Sequence, residues 1–174
     1  MVVALNGDIV NLFLVCDISG SMIENGKNML TRGIVREVEQ YVRLECRNVM
    51  PKLVLWNSSS TITEWGADDE LPDSFYDCHG NVNATSLRDL LKVPDRGKIL
   101  ILTDGWWPKE EVFVMKKWKS MLPEDTLRII KIGSDANPLL KGADVFSTDT
   151  FFCALDNWLP ILTESSSNEG KDSW

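Results

Sequence analysis

A chain of 174 residues, 44% apolar and 25% charged, has the length and composition of one water-soluble globular domain with a sizeable core. Its formal net charge of -8 argues against a nucleic-acid partner, because phosphate binding needs a basic footprint and the 18 Lys and Arg residues gather into no dense block. The four cysteines, Cys16, Cys46, Cys78 and Cys153, lie far apart with no Cys-x-x-Cys pair, which speaks against a zinc ribbon and against a secreted disulfide scaffold.

In chain order, "MVVALNGDIVNLFLV" lacks the basic region of a signal peptide, and Asp8 and Asn11 interrupt its apolar stretch. No run is long enough to span a membrane, so the expectation is a cytoplasmic protein with no membrane contact. Residues 9–16, "IVNLFLVC", are predicted as a buried parallel strand, with Cys16 an interior thiol. A helix is expected from Asn28 to Cys46. There Leu30, Ile34, Val38, Tyr41 and Val42 recur with a 3.6 period, and Arg32, Arg36, Glu39, Gln40 and Arg43 fill the other face. "KLVLWN" (52–57) and "TITEWG" (61–66), joined by "SSS", form a predicted hairpin. Residues 67–84 are polar and irregular and are expected to be a long surface loop, a kind that is often functional.

"TSLRDLLK" (85–92) is a predicted short helix with Thr85 at its first turn, where a hydroxyl is favoured as a cap. "KILILTD" (98–104) is a second buried strand, and "KEEVFVMKKWKSML" (109–122) a helix opened by Pro108. "LRIIKIG" (127–133) is a third buried strand and "ADVFST" (143–148) a short edge strand. Residues 150–162 are expected to be a last amphipathic helix with Phe151, Leu155, Trp158 and Leu162 on one face and Cys153 buried. Residues 163–174 form a polar tail expected to be disordered, leaving one domain over 1–162. Alternating strands and helices imply an α/β fold, a doubly wound, Rossmann-like and mostly parallel sheet. Helices cover both faces, and the hairpin adds one antiparallel edge strand.

In such folds, sites form beyond the carboxyl ends of the parallel strands. Two apolar strands end there in acids, Asp17 and Asp104. Ser19 and Ser21 follow the first acid, and Thr85 opens an intervening helix. These hard oxygen donors, only two of them charged, match a small hard cation such as Mg²⁺, which keeps several waters and needs few carboxylates. A helix-capping turn accounts for Asp17, Ser19 and Ser21 without any ligand, an ordinary turn accounts for Asp104, and a cap accounts for Thr85.

"DISGS" after a buried strand, "ATSLRDLL" and "ILILTDGW" resemble, in order and spacing, the three segments of the metal-ion-dependent adhesion site of von Willebrand factor A domains. The resemblance covers roughly residues 8–162. It implies that Asp17, Ser19, Ser21, Thr85 and Asp104 surround Mg²⁺, with Mn²⁺ or Ca²⁺ as substitutes, some of them through water. It also implies non-catalytic recognition of a partner protein through an Asp or Glu of that partner. Compact bacterial members of this kind often work as adaptors beside ATPases, kinases or stress and defence systems. The chain departs from the family pattern where "NVNA" stands before Thr85 in place of glycines.

Two readings compete: a scaffold of the same type that keeps the motif with no functional metal, and a Mg²⁺-dependent phosphatase or phosphotransferase of haloacid-dehalogenase type, which also starts from a strand ending in aspartate. Its acid/base position, two residues on, is held by Ser19, which cannot do that work, and no lysine is evidently placed to neutralise a phosphoryl group. The single histidine, His79, adjoins Cys78 on the long loop and belongs to no triad pattern; it is expected near the metal rim. Trp106 and Trp107 follow Asp104, so each is either core or an aromatic anchor on the partner-binding rim.

Overall fold

The computed structural model describes residues 7–92 and 97–162; the predicted tail at 163–174 lies outside the described residues. Strand β1 (Val10–Asp17) is followed by a 3-10 segment (Gly20–Gly26), helix α1 (Lys27–Glu45), the hairpin β2 (Val49–Trp56) and β3 (Ser60–Thr63), and a second 3-10 turn (Asp73–Tyr76). Then come α2 (Ala84–Leu91), β4 (Gly97–Thr103), α3 (Lys109–Met121), β5 (Leu127–Lys131), β6 (Val145–Ser147) and a third 3-10 segment (Thr148–Ala154). The sheet order is β3-β2-β1-β4-β5-β6, with only β3 antiparallel to its neighbour. The expected architecture holds, including the antiparallel edge.

Alternation along β1 explains the two layers. Leu12, Leu14 and Cys16 face one way and meet Ile34, Val35, Val38 and Val42 of α1 together with Phe151, Leu155 and Trp158. Phe13 and Val15 face the other way, against Leu87 and Leu91 of α2 and Met115 and Trp118 of α3. Both faces are buried, which is why β1 and β4 read as continuous apolar runs rather than as alternating ones. Pro51 is tolerated in β2 because it lies beyond the end of β3, where β2 is itself an edge.

Several local expectations are corrected. Residues 150–162 form no α-helix: the 3-10 segment is kinked at Thr150 (φ -121°, ψ 23°), Asn157 takes a left-handed φ of 54°, and Pro160 bars continuation. Phe151, Leu155 and Trp158 are nevertheless buried, while Leu162 is exposed and Cys153 is a surface thiol rather than an interior one. The 67–84 segment is not wholly superficial, since Leu71, Phe75 and Val82 are buried and the Asn28 side-chain amide donates to the Phe75 carbonyl at 2.7 Å. In α1, Leu30 is exposed and Glu39 buried, the reverse of the expected faces. The cap of α2 is Asn83, whose side chain accepts from Ser86 N at 2.9 Å, and Thr85 lies inside the helix. Among the described residues, no helix is long and apolar enough to cross a membrane.

Candidate metal centre

The strand order reverses at β1, which connects through α1 to β2 on one side and pairs with β4 on the other. The crevice beyond the carboxyl ends of β1 and β4 is therefore where an open α/β sheet accepts a ligand. Asp17 is the last residue of β1 and Asp104 the first beyond β4, and both are buried.

Asp17 is held from three directions. Its Oδ1 accepts from the Ser19 amide at 2.8 Å and from the Ser19 hydroxyl at 2.6 Å, and its Oδ2 accepts from the Thr103 hydroxyl at 2.6 Å. Burial pushes its carboxyl up to about 6, reinforced by the charge of Asp104 and opposed by the Ser19 and Thr103 hydrogen bonds. A buried carboxylate in that condition gains from a neighbouring cation. Because Ser19 spends its proton on Asp17, its oxygen keeps both lone pairs for an electrophile. Ser21 is half-buried in the turn that follows.

Asp104 is held differently. Its Oδ1 accepts from the Trp106 amide at 3.1 Å, and its Oδ2 lies 2.9 Å from the ammonium of Lys27, the first residue of α1. Lys27 also reaches Asp135 Oδ2 at 3.2 Å. Burial works against the Lys27 charge, but the Asp104 and Asp135 carboxylates outweigh it and hold the ammonium above its ordinary range. Thr103 joins the two halves: it donates to Asp17 and accepts from the Gly105 amide at 3.0 Å and the Trp107 indole at 3.1 Å.

The two tryptophans separate in role. Trp107 is half-buried, stands edge-on to Trp56 at 5.7 Å, and donates its indole N–H to the Thr103 hydroxyl. Trp106 is 53% exposed, with its indole on the Asp135 carbonyl at 2.9 Å. Of the two, Trp106 alone has the exposure a rim anchor needs.

The middle segment meets the first through backbone. The His79 amide donates to the Ile18 carbonyl at 3.0 Å and the Gly20 amide to the Gly80 carbonyl at 2.9 Å. Gly80, with φ 73°, takes a conformation that favours glycine. His79 itself is exposed, its Nδ1 on the Asp77 carbonyl at 2.9 Å. The 79–80 stretch thus lies against the serine loop. Thr85 is an exposed residue of α2, two positions past the cap, on a turn whose Ser86 hydroxyl bonds to Ser60 of β3. The structure gives two bonded groups, Asp17 with Ser19 and Thr103, and Asp104 with Lys27, which meet where Thr103 and Asp104 adjoin in the chain, and it ties no side chain of the middle segment to either among the described contacts.

Two members of these groups escaped the sequence reading. Thr103 had a signal, since it precedes the strand-end acid. Lys27 had one too: it shares the core-facing stripe of α1 with Thr31, Ile34 and Val38, where a lysine is out of place without a partner. It is also a lysine beside the acids, where the sequence shows none evidently placed to neutralise a phosphoryl group.

The donor set fits a small hard cation. It consists of oxygen only, with the buried Asp17 and Asp104 carboxylates as its charged members and the Ser19 hydroxyl oriented on the first. No group of three or more His, Cys, Asp or Glu gathers among the described residues, so a softer, ligand-rich site is not what this geometry offers.

No protein-family model and no curated protein matches the sequence. Solved structures match the fold. The manganese-loaded TRAP protein of Plasmodium vivax aligns over 88% of this chain and 74% of its own, at 15% identity and a TM-score of 0.59. Proximal thread matrix protein 1 of the mussel byssus, solved with a zinc-occupied MIDAS motif, aligns over 84% and 45% at 13% identity and a TM-score of 0.52. A von Willebrand factor type A protein of Catenulispora acidiphila aligns over 86% and 41% at 14% identity and a TM-score of 0.52. The chain thus spans less than half of the latter two. At such identities the likeness is one of fold, and the fold is of the von Willebrand factor A type.

Proposed function

Starting from that fold, we propose that this chain is a divalent-cation-dependent protein-interaction module. One observation carries the reading: two buried carboxylates, Asp17 and Asp104, close the two central parallel strands at the switch point, with a serine hydroxyl oriented on the first. Asp17, Ser19, Ser21 and Asp104 would hold Mg²⁺, with Mn²⁺ or Ca²⁺ as substitutes. The metal-loaded state of two fold neighbours supports the cation, though not its identity. Thr85 remains a proposed member that would need the first turn of α2 to approach the serine loop. The bound ion supplies a Lewis-acidic position for an Asp or Glu of a partner protein. The chain's own residues do the rest: Thr103 and Ser19 orient the Asp17 carboxylate, and Trp106 and His79 form an exposed rim. In this reading the chain is a non-catalytic, cytoplasmic adaptor in a multi-protein system.

The test is capture of partners from the native cell with and without EDTA. Retention that is lost with EDTA and on Asp17→Ala, in a protein that stays folded, supports the module. EDTA-insensitive retention contradicts it. The phosphatase alternative gains one observation, the Lys27 ammonium beside the acids. It stands only if the protein turns over p-nitrophenyl phosphate with Mg²⁺.

A further inference from the structure

Lys27 is more than an incidental partner of Asp104. Its side chain is 2% exposed, and the backbone makes room for it: a Cβ on Gly133 would lie 2.8 Å from Lys27 Cδ and 3.0 Å from its Cγ. Gly133, at φ 94°, leaves the lysine stem a channel to the carboxyl ends of β4 and β5. At the end of that channel the ammonium is shared by buried Asp104 and half-exposed Asp135, and the Asn25 side-chain amide also donates to Asp135, at 3.2 Å. A lysine carried inward on the first residue of a helix, cradled by a left-handed glycine and shared by two acids, is a placed positive charge.

We propose that Lys27 is the resident counter-cation of this centre, and that it sets the divalent-ion concentration at which the centre fills. The proposal rests on the metal reading given above. One ammonium stands against three carboxylates, Asp17, Asp104 and Asp135, so the share of it that Asp104 holds cancels part of the negative charge of the Asp17–Asp104 pair. An arriving divalent ion meets a like charge already bonded to one of its acids. Two positive charges a few ångströms apart repel strongly where water is excluded. Asp135 is a positioning residue: it draws the ammonium outward and relieves Asp104 of part of its hold. Cation affinity is then set by the balance of Lys27 between Asp104 and Asp135, and not by the oxygen donors alone. A purely structural ion pair would have no such effect on the metal.

Mn²⁺ titration of the full chain, followed by the electron paramagnetic resonance of the free ion, tests this. Lys27→Gln removes the charge but keeps a donor for Asp104, and is expected to bind Mn²⁺ about tenfold tighter or more than the wild type. Asp135→Asn, at a half-exposed position, is expected to bind several-fold weaker, and the Asn effect should vanish in the Lys27→Gln background, since Asp135 acts through Lys27. Equal or weaker binding by a natively folded Lys27→Gln overturns the inference and leaves the metal reading intact. Binding by Lys27→Gln but not by the wild type supports the inference and overturns the metal reading for the native chain. Binding by neither overturns both. Should Lys27→Gln not fold, Lys27→Met, which keeps the apolar stem and removes the charge, takes its place: tighter Mn²⁺ binding supports the proposal, and equal or weaker binding by the folded variant overturns it.

Discussion

Thr103 is the residue on which the two halves of the site depend. Its hydroxyl serves one acceptor and two donors in a buried place, so Thr103→Val leaves Asp17 Oδ2, the Gly105 amide and the Trp107 indole each short of a partner. Orphaned buried polar groups cost about 1–3 kcal/mol, and a loss of at least that size is expected in urea denaturation. Loss of any divalent-ion response should accompany it; an unchanged midpoint would contradict the hub role. At the other end of the sheet, Arg128 grips both carboxylate oxygens of Asp125 at 3.0 Å each. That hydrogen bonding, with the Arg128 and Lys98 charges behind it, holds the Asp125 carboxyl below its usual range. The folded state thus binds the proton less readily than the unfolded chain. The pair's contribution is present above the ordinary carboxylate range and is lost as pH falls through the depressed value. Asp125→Asn should destabilise by less than about 1 kcal/mol at neutral pH, because Asp125 is half-exposed, and should match the wild type in strong acid. A difference that persists in acid would assign the effect to packing.

At the scale of elements, what was legible in the sequence depended on how local the determinant is. β1 and β4 announce themselves because strands buried on both faces are apolar throughout, and each ends where an acid begins. The hairpin and the antiparallel edge follow from two short runs joined by serines. The 150–162 segment misled because its apolar spacing is helical while Thr150, Asn157 and Pro160 break the backbone that would express it. Asn83 does not stand out as the cap because Thr85 suits that role equally in sequence, and only the backbone angles separate them. Lys27 stayed hidden as a site member because its partner lies 77 residues away, across a crossover that no local pattern encodes. The long 67–84 segment is likewise anchored by apolar residues that local polarity conceals, Leu71, Phe75 and Val82. Phe75 is fully buried, so Phe75→Ala should cost about 3–5 kcal/mol and open that segment to limited proteolysis. Unaltered cleavage in the variant would show that the anchor lies elsewhere.

For the whole molecule, the sheet does one thing that none of its elements does alone. Winding β2 to one side of β1 and β4 to the other brings two strand-end acids to a single crevice, and the burial that makes the strands stable also raises Asp17 and calls for a compensating charge. The net charge of -8 adds a diffuse attraction for cations, screened by salt, that cannot by itself distinguish one crevice from the rest of the surface. The measurement that separates a built centre from that background is Mg²⁺ titration calorimetry at physiological salt on the wild type and on Asp17→Ala. Saturable binding of one ion per chain in the wild type, absent from the folded variant, is the predicted result. Identical heats from the two proteins would contradict a metal centre at the ends of β1 and β4.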